Sequence, residues 1–445
     1  MGNTLQSFYR SCDRLNFQNV TDVNYVVNCA KNGTLRSLVS ETASPSEKYV
    51  FDFVDDAHYD GHKIKHGFQK LFITSMDYFK SNALIYEYYV NTLVIKPLTD
   101  FSINPHFVKY LGGQLNVPFD KLVYYLADKT GIHINEIAYN LSKNVNYLIQ
   151  EQVVDPIEVI TQNKIAQDTD ASKLRYGFII TEGLVKADNY FDIGDLEKME
   201  NNTCITFNEL LENFDGDNFD FFHNTVMKLL FQVATACYAL FLSRTAHNDL
   251  HPNNIMIKKI PTRINMYNID GNVYKQETDI MALLFDWDRS YVEGFDNPAL
   301  TPELRYANQT NDLIQQRDFI KLCCHVYKYL EENIRDLLLN ILAVNDKGKQ
   351  MLKERFIEAN CTLIRVKPED EEEKKYDYNQ PSISQAEFEN IRTLPDIIQR
   401  LNNAVNYEYQ NMTSDNLYIC SPGVFNNGFV DEKSLLKIAR VMDLE

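Results

Sequence analysis

The sequence predicts an α+β fold with a small lobe of antiparallel strands, a larger helical lobe and a ligand-binding cleft between the two. Short β-like runs separated by turns occupy roughly the first hundred residues. Long helical patterns begin at about residue 207 and continue to residue 344. Strands followed by helices are typical of an α+β arrangement, and clefts between lobes are common ligand sites.

Composition excludes several classes of protein. The 445 residues are 44% apolar and 24% charged, which is the balance of a globular chain with two to three domains. A net charge of −18 repels phosphate backbones and anionic lipids, so we expect no nucleic-acid partner. The eight cysteines form no CxxC pair, which favours a reduced, cytoplasmic protein.

No integral membrane association is expected. The longest nearly apolar run, 229–242, is shorter than the roughly 20 residues of a membrane span and predicts a buried helix. No signal peptide opens the chain. Met1-Gly2-Asn3 matches the start of an N-myristoylation signal, but Gln6 stands where Ser or Thr is required, so the match is weak.

The elements of the small lobe, predicted to span 1–182, follow from local patterns. Strands are expected at 49–54, 70–74 and 176–184, the last continuing into a connector. A helix is expected over 82–93, closed by Pro97. The polar stretch from about 113 to 172 has no strand signal and predicts a helical insertion.

The helical lobe is predicted to span 183–345, and a C-terminal helical extension to span 346–445. The expected helices of the lobe are 207–214, 224–242, 316–330 and 332–344. The charge run 368–375 predicts an exposed loop within the extension.

Two polar motifs end apolar segments in the helical lobe. Ala246-His247-Asn248-Asp249-Leu250-His251-Pro252-Asn253-Asn254 precedes one strand, and Asp286-Trp287-Asp288 follows the next. A hairpin turn at 269–272 would bring these strands side by side, so the two motifs would converge.

These residue types suit phosphoryl transfer from ATP. The transition state is mainly a problem of charge and positioning. Asp249 could take the proton of an acceptor hydroxyl, while Asn254 and Asp286 offer the oxygen ligands that Mg²⁺ prefers.

The pattern H-x-D-L-x-P-x-N followed by D-x-D resembles the catalytic and metal loops of the protein-kinase-like superfamily. More narrowly, the chain resembles the divergent serine/threonine protein kinases of large nucleocytoplasmic DNA viruses, which fits its AT-rich residue usage. The resemblance covers roughly residues 30–345. It implies a bilobal kinase fold with an ATP cleft, ATP and Mg²⁺ as cofactors, a protein hydroxyl as acceptor, and a location in infected-cell cytoplasm or the virion.

The resemblance also implies an ion pair that holds the ATP phosphates. Glu87 matches the helix-C glutamate, the alternative being one acidic residue on an aromatic-rich helix. Its lysine partner is assigned to Lys70, with Lys65 as the alternative, and either could be a solvated strand lysine.

Three further roles follow from the same resemblance. The segment 181–184, including Glu182 and Leu184, would be the hinge whose backbone binds adenine. Gly33 is the single glycine in a poor phosphate-binding loop at 32–38. Asp318 matches the helix-F aspartate that caps the catalytic loop.

The sequence also departs from serine/threonine kinases. His251, counted with the catalytic residues, stands where they carry a lysine that steadies the γ-phosphate. His251 and Asp286-Trp287-Asp288 look more like the aminoglycoside and choline phosphotransferases, and no Ala-Pro-Glu segment follows in 289–315. His247 is interpreted as a packing residue rather than a base.

Three functions therefore stay open at the level of sequence. The favoured one is a viral-type serine/threonine protein kinase. The alternatives are a small-molecule phosphotransferase of the same fold and a catalytically inactive kinase-like scaffold.

Overall fold

The structure is a computed structural model. It describes residues 33–36, 50–53, 57–59, 62–64, 67–75, 83–100, 103–118, 174–182, 184–187, 192–214, 219–293, 297, 316–361, 385–405 and 417–420. Lys65, the charge run 368–375 and most of the expected insertion lie outside these residues.

The strands fall into two larger sheets and two short pairs. In chain order they are β1 Gly33–Arg36, β2 Val50–Phe53, β3 Ala57–Tyr59, β4 His62–Ile64, β5 Gly67–Ser75, β6 Tyr110–Pro118, β7 Leu174–Glu182, β8 Val185–Lys186, β9 Thr203–Thr206, β10 Thr245–Ala246, β11 Ile255–Ile269, β12 Asn272–Leu284, β13 Tyr291–Val292 and β14 Leu417–Cys420.

The α-helices are α1 Ala83–Val90, α2 Lys96–Asp100, α3 Asp195–Lys198, α4 Phe207–Glu212, α5 Phe219–Leu242, α6 Arg317–Tyr327, α7 Glu332–Leu342, α8 Asp346–Cys361, α9 Gln385–Phe388 and α10 Leu394–Ala404. A π-helix, Asn91–Ile95, joins α1 to α2, and a 3₁₀ turn, Pro252–Asn254, precedes β11. Helices and largely antiparallel sheets make the chain α+β, as the sequence predicts.

The first sheet is antiparallel, with strand order β1-β2-β5-β7-β6. The strands expected near 49–54, 70–74 and 176–184 are confirmed as β2, β5 and β7. The prediction of a helical insertion from about residue 113 is wrong at its start, because 113–118 belong to β6. Among the described strands, β6 lies at the edge of its sheet beside β7, and an edge strand tolerates polar residues that hide a strand signal.

The expected helix over 82–93 is confirmed but does not end at Pro97. The chain remains helical through the π-helix and α2, and Pro97 lies in the first turn of α2. A π turn directly before a proline interrupts the regular α-helical hydrogen bonding, so the chain can pass a residue that has no N–H to donate. The wider π turn before it ends with the Lys96 N–H donating to the Asn91 carbonyl.

The second sheet is built on a long hairpin of β11 and β12. The turn expected at 269–272 is confirmed: Ile269 pairs with Asn272, and Asp270 and Gly271 have φ values of 49° and 82°. Two successive positive φ values match the twist of a two-residue hairpin. β11, the strand after the first polar motif, is 15 residues long, and Pro261 lies where its register with β12 shifts between Lys259 and Arg263.

Helix α5 is the centre of the hydrophobic core. It is apolar and long enough to cross a membrane, but 83% of its most apolar 18-residue window is buried inside the protein. The fully buried Gln232 ties it to β12: its Nε2 donates to the Gln276 Oε1 (2.8 Å) and its Oε1 accepts from the Ala282 N–H (2.7 Å). The helix therefore fixes the position of β12 along its length.

The C-terminal part packs onto this framework. The predicted helices 207–214, 224–242, 316–330 and 332–344 are confirmed as α4, α5, α6 and α7 with small shifts at their ends. Helix α10 packs on α5, and β14 pairs in parallel with the far end of β11. The predicted helical extension is thus mainly helical where it is described, with one strand added to the second sheet.

The buried side chain of His106 makes the stability of the fold depend on pH. Its Nδ1 lies 3.0 Å from the Ala282 carbonyl oxygen and its Nε2 lies 2.8 Å from the Tyr267 hydroxyl. Desolvation by burial lowers its pKa to about 3, so the folded protein keeps the ring neutral where the unfolded chain protonates it.

We expect the free energy of unfolding to fall as pH drops from about 6.5 toward 4, by up to about 1.4 kcal/mol per pH unit from His106. Urea titrations at several pH values would measure this. The variant His106→Asn should be less stable at pH 7 but lose less stability on acidification. Parallel pH profiles for the two proteins would contradict the assignment.

Candidate active site

The two polar motifs meet at the open end of the β11–β12 hairpin. Ile255, the first residue of β11, pairs with Leu284, the last residue of β12. The Phe285 N–H then donates to the Asn254 carbonyl at 3.3 Å. The loops that contain Asn254 and Asp286 are therefore neighbours, as the sequence predicts.

A third segment covers the end of β12. The Leu284 N–H donates to the His106 carbonyl and the Val108 N–H donates to the Leu284 carbonyl, both at 3.0 Å. Trp287 is buried, and its ring lies 5.9 Å from that of Phe107 and 4.6 Å from that of His247. These contacts hold the 285–288 loop against residues 106–108 and against His247.

A side chain of helix α6 binds the main chain of the loop that contains Asp249. The buried Asp318 carboxylate accepts the N–H groups of His247 at 2.6 Å and Asn248 at 2.9 Å. Asn248 has a φ of 61°, a left-handed conformation that asparagine tolerates and that helps two successive N–H groups converge on one anion. The capping role expected for Asp318 is confirmed.

The Asp249 carboxylate lies close to a lysine, an arginine and a histidine side chain. Its Oδ1 is 3.1 Å from Lys321 Nζ, and its Oδ2 is 3.7 Å from His251 Nε2 and 3.8 Å from Arg289 Nη1. Burial raises the pKa of this carboxyl, but His251, Lys321 and Arg289 together outweigh burial and hold the pKa well below its ordinary value. Asp249 is therefore a carboxylate at neutral pH.

Asn254 and Asp286 supply the oxygen atoms that could hold a divalent cation. The Asn254 Nδ2 donates to the Asp249 carbonyl at 2.9 Å, and its Oδ1 accepts no hydrogen bond from the residues that the structure describes. Asp286 itself has a left-handed backbone conformation, with a φ of 70°. Mg²⁺ commonly takes one or two protein oxygens and completes its shell with phosphates and water, so this donor set fits it.

Among the described residues, no three His, Cys, Asp or Glu side chains lie close enough to hold a metal ion. A structural zinc site of the usual kind is therefore absent from this part of the chain.

His247 is a packing residue, as the sequence predicts. It is fully buried, and its Nε2 lies 3.0 Å from the Phe285 carbonyl oxygen. Burial lowers its pKa, which keeps the ring neutral. It links the two loops.

The two residues of the expected ion pair, Lys70 and Glu87, lie on separate elements. Glu87 is buried in α1, and the preceding Tyr86 accepts the Val292 N–H at 2.8 Å, so α1 packs beside the strand after the 285–288 loop. Lys70 lies in β5, opposite Ile179 of β7. The ion pair between Lys70 and Glu87 stays a prediction.

The expected hinge is partly occupied by the sheet. The Glu182 N–H donates to the Lys109 carbonyl at 2.8 Å, and its carboxylate binds Lys258 at 2.9 Å. The half-buried Leu184 follows it and stays the predicted adenine contact. Gly33 begins β1 opposite Phe53, so the expected phosphate loop is a strand over 33–36.

Sequence reasoning missed two charged neighbours of Asp249. Lys321 lies 72 positions further along the chain, and its only local signal is a position three residues after Asp318, on the same face of α6. Arg289 follows the Asp286-Trp287-Asp288 motif directly.

One cavity of about 470 Å³ lies away from these loops. Its walls come from α5, the hairpin turn and α10, at the opposite end of the hairpin from Asp249; they include Tyr238, Phe241, Asp270, Tyr274 and Asp396. It is no part of the candidate active site.

Replacing Asp318 tests the grip of α6 on the loop. Asp318→Asn should lower the free energy of unfolding by about 1.5–3 kcal/mol, because an amide loses the charge and can turn a donor toward the two N–H groups. Urea unfolding measures the change. The exposed Asp336→Asn is the matched control, and equal effects of the two substitutions would rule out the assigned role.

No family model and no curated protein matches the sequence. Among solved structures, a kinase domain from Plasmodium is similar over 81% of this chain and 86% of its own, with 12% sequence identity and a TM-score of 0.32. A likeness of that extent carries no inference about activity, so the function has to be argued from the two loops.

Proposed function

We propose that this protein is an ATP- and Mg²⁺-dependent phosphotransferase with a bilobal kinase-like fold, and that its acceptor is a serine or threonine hydroxyl of a protein. One observation supports this above the others: a loop that presents Asp249 and Asn254 lies hydrogen-bonded beside the loop that presents Asp286. A base and two oxygen ligands from adjacent loops are the set that phosphoryl transfer needs.

Asp249 would orient the acceptor hydroxyl and take its proton. Since its pKa is held low, the carboxylate is a weak base, and the proton moves to it only as the oxygen–phosphorus bond forms. Positioning of the hydroxyl is then the larger contribution of this side chain.

Asn254 and Asp286 would hold Mg²⁺ on the phosphates of ATP. The bound ion would neutralise charge on the transferred phosphoryl group. The Asn254 amide is already oriented by its hydrogen bond to the Asp249 carbonyl, so the ligand and the base keep a fixed relation within one loop. Lys70 is proposed to bind the α- and β-phosphates, and Glu87 to hold that lysine through an ion pair.

A small-molecule acceptor is the second candidate. The observation that favours it is His251, whose Nε2 lies 3.7 Å from the Asp249 carboxylate in the place of a kinase lysine. Labelled ATP offered with mixed proteins, or with alcohols and aminoglycosides, distinguishes the two acceptor classes. An inactive scaffold is less well supported, because a dead site has no chemical need to keep Asp249, Asn254 and Asp286 together.

The substitution Asp249→Asn should lower turnover by about two to four orders of magnitude, the usual contribution of a positioned base. A Mg-ATP transfer assay measures this. The control is Asp279→Asn, an acidic residue on β12 that pairs with Lys259 outside the site. Full turnover by the Asp249 variant would exclude the assigned role.

The substitution Asp286→Ala should abolish metal-dependent nucleotide binding, because it removes the carboxylate that we propose as a Mg²⁺ ligand. Calorimetry with Mg-ATP, and with ATP plus a chelator, measures the metal-dependent part. Asp249→Asn should retain it. Equal Mg-ATP affinity of the wild-type protein and Asp286→Ala would show that the metal assignment is wrong.

A further inference from the structure

One face of α6 points at the catalytic loop. Asp318, Lys321 and His325 follow one another at spacings of three and four, which places them on the same side of the helix. Asp318 binds the loop's N–H groups, and the His325 ring lies 6.3 Å from that of His251. Lys321 lies between these two contacts.

Lys321 is buried and makes two hydrogen bonds to the loop. Its Nζ donates to the Asn248 carbonyl at 3.0 Å and to the Asp249 Oδ1 at 3.1 Å. Burying a long cationic side chain costs desolvation and side-chain entropy, so a buried lysine needs well-formed partners. Both partners of this one belong to the proposed catalytic loop.

The two oxygen atoms of Asp249 therefore differ. Oδ1 is held by a hydrogen bond from Lys321. Oδ2 has His251 and Arg289 at 3.7 and 3.8 Å, which are ion-pair distances but longer than hydrogen bonds. Within the described part of the chain, Oδ2 is the oxygen that can still accept a hydrogen bond from an acceptor hydroxyl.

We propose that Lys321 is a positioning residue for the proposed phosphotransfer: its ammonium fixes Oδ1 of Asp249 so that Oδ2 faces the acceptor hydroxyl. This inference rests on the proposed function. During transfer the hydroxyl proton moves to Oδ2 as the oxygen bonds to phosphorus, and the bond from phosphorus to the leaving ADP oxygen breaks.

The test compares two buried lysines. Lys259 also donates to a backbone carbonyl, that of Leu196, and to a carboxylate, that of Asp279, but it lies outside the site. Lys321→Met and Lys259→Met should lower thermal stability to a similar degree. Only Lys321→Met should lower kcat, by about 10- to 100-fold, since small misplacements of catalytic groups have effects of this size.

Two further measurements separate positioning from general stability. The KM for ATP and the Mg-ATP affinity of Lys321→Met should stay within about twofold of wild type, and Lys321→Arg should retain most of the turnover. Equal kcat for the two Met variants, or a loss of turnover in Lys321→Arg as large as that in Lys321→Met, would overturn the proposal.

Failure of the proposed function can be recognised separately. If the wild-type protein transfers phosphate to no acceptor, the proposed function is excluded, and crystal structures of wild type and Lys321→Met without ligand decide the positioning role. We expect the Asp249 carboxylate to rotate in the variant. An unmoved carboxylate would overturn the role of Lys321.

Discussion

The grip of α6 on the 247–249 loop is the interaction on which the rest of the site depends. The Asp318 carboxylate accepts hydrogen bonds from two N–H groups of the loop. The Lys321 ammonium donates to the Asn248 carbonyl and to the Asp249 carboxylate. The loop has little regular structure of its own, since it lies between a two-residue strand and a single 3₁₀ turn. Its conformation is therefore set by a helix that comes some 70 residues later in the chain.

This arrangement explains why unfavourable features are tolerated there. Two of the five non-glycine residues with positive φ in the described chain, Asn248 and Asp286, lie in the two loops. Such backbone strain persists only where surrounding contacts impose it, and it is concentrated at functional sites. Here hydrogen bonds to Asp318 and the packing of Trp287 impose it.

Features that depend on neighbouring residues were predictable from the sequence. The Asp270-Gly271 turn has a local signature, and the hairpin that it closes brings the loops of Asn254 and Asp286 together. Features that depend on distant parts of the chain were not. Lys321 contacts Asp249 only after folding, the edge strand β6 hides its pattern among polar residues, and Pro97 remains helical because a π turn precedes it.

The long hairpin has a consequence for the boundaries of the functional unit. One end carries the proposed catalytic groups, while β14 and α10, from beyond residue 390, are attached at the other. The two ends belong to the same pair of strands, whose pairing is interrupted only by the register shift between Lys259 and Arg263, so the late segments pack on the element that also positions the two loops. A shortened chain that stops after α7 would expose an unpaired edge of β11 and an apolar surface of α5. Such a chain would be less soluble than the full one.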